Sequence, residues 1–369
     1  MESFKIKICQ VANTDMAIRF LLLNQINFLK KQGYDVSAVC SPGELIKDIK
    51  DIKIKTIKFN RGFNAFSHLI SFFKLYFYFK KEKFQIVHTH TPVPGLLAQL
   101  AAKISKVPII VNTVHGFYFN ENTHFLKRKF FILTERIAAK CSDVIFFQSK
   151  EDMETAIKEK ICSELKIRHL GNGINIQKFN MEDFIKNKKK EYRIIGTVGR
   201  LVKEKGYLEL FQAFKKVLDK FPKTKLLVIG PEEPGKRDKI KKQKINNVLF
   251  LGQRTDIHKL YPLFDVFVLA SHREGFPRAV IEAQTSGVPV IATNIRGCRE
   301  IIEHNKTGIL ISLKNPDKIA QAIIYLFENP EIAKQIAENA RNKAIKEFDE
   351  NLIFNRIKTE YQRLIKEKL

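Results

Sequence analysis

The sequence predicts an α/β chain built as two successive halves, each a parallel sheet with helices on both faces, the halves facing each other across a cleft. Three observations carry this reading. β-branched apolar runs alternate with longer amphipathic stretches along the 369 residues, which is the mark of parallel strands buried on both sides. The alternation lapses once, between 173 and 191. After 312 only helical patterns remain.

In the first half the strand runs are 4–12, 35–40, 52–59, 85–90, 107–115, 143–149 and 166–172. Helical stretches such as 16–32 and 94–104 separate them. Residues 1–175 form the first domain. The polar, charged run FIKNKKKEY lies in a linker placed at 176–191. Strand runs then resume at 193–200, 225–230, 248–252, 266–271, 289–294 and 308–312, within a second domain over 192–349. Helical patterns at 315–328, 330–347 and 350–367 finish the chain. The last, 350–369, is expected to pack back toward the first domain. Ligands of such sheets sit at the C-terminal ends of the strands.

Composition narrows the classes. Apolar residues make up 44%, enough for packed cores. The longest apolar run, LISFFKLYFYF, is interrupted by Lys74, and the N-terminus lacks a signal-peptide pattern, so a cytoplasmic protein is expected. Cys9, Cys40, Cys141, Cys162 and Cys298 are scattered and odd in number, against a disulfide framework or a zinc site. Net charge is +26. Residues 1–180 hold 28 Lys+Arg against 15 Asp+Glu, so half the excess lies there and the charge is no basic tail. The sequence shows no nucleic-acid-binding motif, and nucleic acid is not expected as a partner.

The most informative stretch is VFVLASHREGFPRAVIEAQTSGVPVIATN, 266–294. It reads strand, Gly-containing turn, helix, strand. Glu274 lies in the turn and Glu282 about two turns into the helix. Gly275, Phe276 and Pro277 bring backbone N–H groups to a helix N-terminus, which attracts anions. A phosphate cradle with two nearby carboxylates suits a nucleotide sugar. Arg200 and Lys205, in VGRLVKEKG (198–206), follow another strand.

These motifs, with GCREIIEHNKTGILI (297–311), IVHTHTP (86–92), NTVHGF (112–117) and GNGIN (171–175), occur in an order that resembles glycosyltransferase family 4 over nearly the whole chain. The resemblance implies the GT-B fold of two facing Rossmann-like domains and a retaining transfer from a nucleotide-diphosphate sugar, UDP-linked. It implies that Arg200 and Lys205 meet the growing charge of the leaving diphosphate, that Glu274 contacts the transferred sugar, and that Glu282 accepts from the ribose hydroxyls. It places His115 beside the reacting phosphate. The catalytic set is therefore His115, Arg200, Lys205 and Glu274. Arg200, Lys205, Glu274, Gly275, Phe276, Pro277 and Glu282 bind the donor. Asn13, Thr14, His90 and Asn172 lie on the acceptor side. No cofactor beyond the nucleotide sugar and no essential metal are expected, since two fixed cations serve the phosphates.

His88 and His90 share a strand and are read as pointing to opposite faces, which disfavours a shared metal. His88 is read as a core histidine. The loop VANTDMAIRF (11–20) departs from the family by lacking a Gly-Gly pair, and Asn13, Thr14 and Asp15 suit a helix cap there. The stretch 64–84, dense in Phe and Tyr and ending in Lys80, Lys81 and Lys83, reads either as a core helix or as an interfacial helix on anionic lipid. The pair Phe130-Phe131 after Lys127-Arg128-Lys129 adds to the second reading. The expected acceptor is a polyprenyl-diphosphate-linked glycan at the inner face of the cell membrane, in surface polysaccharide or O-antigen assembly. A same-fold sugar-nucleotide epimerase or phosphorylase is the alternative enzyme. A non-enzymatic binder of nucleic acid or lipid, driven by the +26 charge, is the other rival.

Overall fold

A computed structural model describes residues 5–60, 64–119, 123–179, 191–232, 238–240 and 245–369. The chain divides into two compact units, Met1–Gly171 with Phe354–Leu369, and Asn172–Ile353.

The first unit holds a seven-stranded sheet in the order β3-β2-β1-β4-β5-β6-β7. Its strands are β1 (Lys7–Val11), β2 (Asp35–Cys40), β3 (Lys53–Thr56), β4 (Ile86–Thr89), β5 (Ile109–Val114), β6 (Val144–Phe147) and β7 (Ile167–His169). All pair in parallel. The helices are α1 (Asp15–Ala17), α2 (Leu23–Lys31), α3 (Ala65–Glu82), α4 (Pro92–Ile104), α5 (Phe125–Cys141) and α6 (Lys150–Lys158). The helix expected over 16–32 is not continuous, because a π-helical turn at Ile18–Leu22 separates α1 from α2.

The second unit opens with α7 (Ile176–Phe179). The linker expected over 176–191 thus begins as a packed helix. Ile176 and Phe179 are buried, and the Phe179 ring lies 5.9 Å from that of Tyr261. The charged run after it drew the linker reading over these two apolar positions; residues 180–190 lie outside the described residues. The six-stranded sheet has the order β10-β9-β8-β11-β12-β13. Its strands are β8 (Arg193–Val198), β9 (Thr224–Ile229), β10 (Val248–Gly252), β11 (Val266–Leu269), β12 (Val290–Thr293) and β13 (Ile309–Ile311), again all parallel. Helices α8 (Tyr207–Lys220), α9 (Arg278–Thr285), α10 (Cys298–Ile301), α11 (Pro316–Glu328) and α12 (Pro330–Glu347) follow, then α13 (Glu350–Lys368), which belongs to the first unit from Phe354 onward.

Each sheet reverses its winding beside its first strand, between β1 and β4 and between β8 and β11. A reversal sends the flanking connections to opposite sides and leaves a crevice at the strands' C-terminal ends. Asn13 and Thr14 follow β1 and His90 follows β4. Arg200 follows β8 and Glu274 follows β11. Both groups of expected site residues therefore stand at switch points.

Candidate active site

In the second unit, backbone geometry brings the cation and the carboxylate together. Gly206 starts α8 at φ +71°, a left-handed conformation that costs an L side chain free energy. A Cβ there would stand 1.9 Å from the Ala270 carbonyl oxygen. Glycine thus lets the 203–206 turn touch the end of β11. Across that contact Lys205 Nζ donates to Glu274 Oε1 at 2.5 Å, and Ser271 Oγ donates to the same oxygen at 2.6 Å. The Lys205 and Glu274 side chains are 18% and 13% exposed, enough for a ligand to reach them.

The 271–274 turn is anchored along its length. The His272 amide donates to the Glu204 carbonyl at 2.8 Å, Arg273 Nε pairs with Glu204 at 2.7 Å, and His272 Nε2 lies 2.9 Å from Glu209. Burial pushes the Glu204 carboxyl up, but the Arg273 hydrogen bond together with the charges of Arg273, Lys205 and half-buried Arg200 holds it below the usual range. Tyr207 Oη donates to the Gly199 carbonyl at 2.7 Å and fixes that strand end to α8.

The next turn is packed just as closely. Gly297, at φ +79°, would place a Cβ 2.0 Å from the Gly275 carbonyl oxygen. Pro277 opens α9 without a side-chain hydrogen bond, so the first-turn N–H groups keep their positive end. Asn172 Nδ2 donates to the Phe276 carbonyl at 3.2 Å. Asn172, expected on the acceptor side, therefore belongs to the second unit and braces the turn expected to bind the donor. One turn into α9, Glu282 Oε2 accepts from the Tyr261 hydroxyl at 2.8 Å. Burial pushes the Glu282 carboxyl up, against the pull of Arg278 and the Tyr261 hydrogen bond. Among the described residues neither Glu282 Oε1 nor Glu274 Oε2 has a hydrogen-bond donor. Each carboxylate thus has one oxygen held by protein and one left over.

In the first unit the histidines form a buried chain. His90 Nε2 lies 2.6 Å from Gln10 Oε1, and His90 Nδ1 lies 3.2 Å from His115 Nε2. His88 Nδ1 meets Tyr361 Oη at 2.6 Å and His88 Nε2 meets Thr113 Oγ1 at 2.7 Å. Burial holds His88 at about 3 and His90 well below the usual imidazole range, so both rings are neutral. Their expected placement on opposite faces is corrected: residues two apart on a strand share a face, and the rings lie 4.2 Å apart. A shared metal is disfavoured for another reason, because all four ring nitrogens already have partners. His90 is 4% exposed; it reaches the surface through His115, which is half-buried.

After β1, Thr14 Oγ1 accepts from the Ala17 amide at 3.2 Å and the Asn13 carbonyl accepts from the Ser41 amide at 3.1 Å. Thr14 therefore caps α1, as the capping reading expects, while Asn13 is tied through its backbone to the chain after β2. Asp15 accepts from the Met16 and Leu45 amides. Its carboxylate fills the place where a Cβ on Gly43 would lie, so a glycine after β2 makes room in the loop that lacks its own.

Sequence reasoning missed Ser271, Tyr261, Gln10, Thr113 and Tyr361. Ser271 had a signal, a hydroxyl at a strand end three residues before Glu274. The others join across long separations that no spacing reveals.

Two parallel-sheet units, the second with a cation and a carboxylate paired at its switch point, are the architecture of a GT-B glycosyltransferase. The chain belongs to the group 1 glycosyl transferases: that family's model matches residues 178–343, and a glycosyl transferase 4-like model matches residues 7–149. The capsular polysaccharide biosynthesis glycosyltransferase CapM of Staphylococcus aureus is 33% identical over 363 residues, covering 94% of each chain. The UDP-Gal:alpha-D-GlcNAc-diphosphoundecaprenol alpha-1,3-galactosyltransferase of Escherichia coli is 29% identical, also over 94% of each. Among solved structures, a glycosyltransferase from Rickettsia africae ESF-5 superposes with a TM-score of 0.79 at 25% identity, covering 98% of this chain and 99% of that one.

Proposed function

We propose that the enzyme moves a sugar, with retention of anomeric configuration, from a UDP-sugar to a hydroxyl of a polyprenyl-diphosphate-linked glycan. The observation that carries the reading is the Lys205–Glu274 pair beside the uncapped start of α9. An ammonium has three N–H donors, and the Glu274 contact uses one. The rest are available to diphosphate oxygens, whose charge grows as the glycosidic bond breaks. Arg200 supplies the second cation, and the Gly275–Pro277 turn supplies backbone N–H groups. The open oxygens of Glu274 and Glu282 accept from sugar and ribose hydroxyls. In a front-face reaction the acceptor hydroxyl enters on the side from which the diphosphate leaves. Its oxygen bonds the anomeric carbon as the carbon–phosphate-oxygen bond breaks, and its proton passes to a donor phosphate oxygen. His115 serves the acceptor side. No protein nucleophile and no divalent metal take part.

The name of the Escherichia coli relative gives a UDP-sugar donor and a diphosphoundecaprenol acceptor for that protein, which supports the same pair of substrate classes here. A lipid-linked acceptor calls for a membrane-facing surface. Helix α3 packs Leu75, Tyr78 and Phe79 into the core and turns Phe66, Leu69, Ile70, Phe73 and Phe77 outward, an apolar face that supports the interfacial reading of 64–84 beside the core one. Phe66 is 74% and Phe77 63% exposed. With Lys74, Lys80 and Lys81 on the same helix, the surface suits an anionic lipid headgroup layer. Among the described residues no helix is long and apolar enough to cross a membrane; the attachment proposed on the α3 surface is peripheral, on the cytoplasmic side.

The test is transfer from a panel of nucleotide sugars to a synthetic polyprenyl-diphosphate-linked sugar, with product linkage read by NMR. Transfer from a UDP-sugar with retained configuration, unchanged by EDTA, is expected. An inverted product overturns the mechanism, and loss of turnover in EDTA overturns the metal-free assignment. Epimerised donor, or a requirement for free phosphate, identifies an epimerase or phosphorylase instead.

A further inference from the structure

Two donors of different character meet at one oxygen in the second unit. Glu274 Oε1 accepts from Lys205 Nζ at 2.5 Å and from Ser271 Oγ at 2.6 Å. A carboxylate oxygen offers two lone pairs, so these contacts fill Oε1 and leave Oε2 to accept from a ligand. The two donors differ in how firmly they are placed. Lys205 carries its ammonium on a flexible four-carbon stem, and its side chain is 18% exposed. Ser271 is fully buried, and its hydroxyl hangs from a single χ1 bond. The backbone around Ser271 is held on both sides. Before it, the Ala270 carbonyl lies against Gly206 with no room for a Cβ between them. After it, the His272 amide donates to the Glu204 carbonyl at 2.8 Å. The 203–206 turn thus fixes Ser271 through the backbone, while the long Lys205 side chain on the same turn keeps room to swing.

We infer that Ser271 is a positioning residue for sugar transfer: it holds Glu274 in its accepting direction while Lys205 turns its ammonium toward the leaving diphosphate. This rests on the roles proposed above for Lys205 and Glu274. Those roles make competing demands on one ammonium. Lys205 pairs with Glu274 before a donor arrives, and the diphosphate draws on it most as the glycosidic bond breaks. A carboxylate held by Lys205 alone would either follow the ammonium or keep it back. With Ser271 on the same oxygen, Glu274 retains a short charge-assisted hydrogen bond, and Oε2 stays aimed at the transferred sugar. Loss of Ser271 is therefore felt in the transition state, where the demand on Lys205 peaks. It is not felt by UDP, which lacks the transferred sugar.

The experiment has a kinetic arm and a crystallographic arm, both on the full-length protein. Ser271→Ala removes one hydroxyl and leaves the backbone contacts of the turn in place. It is expected to lower kcat roughly 10- to 100-fold, the scale of one hydrogen bond to a charged group. UDP affinity, read by calorimetry, should stay within about threefold. In a Glu274→Ala background the same substitution should lower kcat less than about twofold, because no carboxylate remains to be positioned. An unchanged kcat in Ser271→Ala overturns the inference, as do equal losses in the two backgrounds, which would mean that Ser271 acts on the turn rather than through Glu274. The crystallographic arm needs no turnover. In Lys205→Met without nucleotide, Glu274 Oε1 is expected to remain within about 3 Å of Ser271 Oγ. A carboxylate that has left Ser271 overturns the inference whatever the activity. Absent transfer from every nucleotide sugar, with Glu274 still on Ser271, overturns the sugar-transfer reading instead.

Discussion

Replacing Glu282 with Gln separates affinity from stability, because the two should move in opposite directions. The substitution keeps an acceptor for the Tyr261 hydroxyl, which sits 2.8 Å from Oε2. It removes the charge. A hydrogen bond to an ionised group contributes about 1.5–3 kcal/mol and a neutral one about 0.5–1.5. Each ribose hydroxyl bound by Glu282 should thus lose about 1–1.5 kcal/mol. One to two such bonds give a loss of about 1–3 kcal/mol, a roughly 5- to 150-fold weaker Kd for UDP. Calorimetric titration measures this. Glu282→Ala should bind no better, and the Tyr261 hydroxyl then keeps the Ala279 carbonyl, 3.3 Å away, as its acceptor.

The pH dependence follows from the direction of the Glu282 shift. Burial raises its carboxyl above the unfolded range. A raised acid favours the folded state while protonated, and that advantage is lost as pH rises through the folded value. At neutral pH the ionised wild-type carboxylate is therefore a burden that Gln lacks, so Glu282→Gln should melt at or above the wild-type temperature. The difference should vanish in acid. UDP affinity in wild type should fall as pH drops through the Glu282 transition, while the Gln variant stays flat. Wild-type affinity in the variant, or a melting point that falls along with the affinity, would refute the ribose assignment.

Lys205→Met should cut kcat roughly 10²–10³-fold, as removal of a transition-state donor does, with a smaller effect on UDP-sugar affinity; equal losses would mean ground-state binding. Arg200→Ala should follow the same pattern. Gly206→Ala forces a Cβ toward the Ala270 oxygen in a left-handed turn, at a combined cost of about 2–5 kcal/mol. In a unit of this size that lowers Tm by roughly 5–15 °C, and calorimetry that leaves Tm unmoved would contradict the packing. Phe73→Ser with Phe77→Ser should abolish flotation with anionic vesicles at low salt while leaving UDP binding intact, and undiminished flotation would remove α3 from the membrane.

The fold was legible because its signal is periodic. All thirteen strand runs read from the sequence appear as strands: the inner ones are apolar on both faces because both faces are covered, while the edge strands β3 and β10 alternate along the chain instead. Helix α7 escaped because two apolar residues, Ile176 and Phe179, are too few for a pattern beside a charged run. The order of Arg200, Lys205, Glu274 and Glu282 was legible as motif, and Lys205 and Glu274 meet as one pair. Their supports were not, because support comes from contact rather than spacing. Tyr361 lies 273 positions from His88 and Tyr261 sits in an unremarkable loop. The face shared by His88 and His90 was legible from strand geometry and was misread; the two-residue period settles it.

The two carboxylates of the second unit follow one plan with different consequences. Each has one oxygen bound by a protein donor, which fixes the direction in which the other can accept. Glu274 is held by a cation and a hydroxyl, so its charge is already compensated before any ligand arrives. Glu282 is held by a hydroxyl alone, with Arg278 acting from nearby, and burial outweighs both. Its ionised form is undersolvated until a further donor supplies a hydrogen bond. Two cis hydroxyls on a ribose are such donors, so nucleotide binding should relieve at Glu282 what folding has left unsatisfied. Glu274 gains less from binding and is free to discriminate among sugars by the position of one hydroxyl. Affinity should therefore reside mainly at Glu282 and sugar preference at Glu274. Glu274→Gln should change the ranking of UDP-sugars while UDP itself binds as before, and an unchanged ranking would place specificity elsewhere.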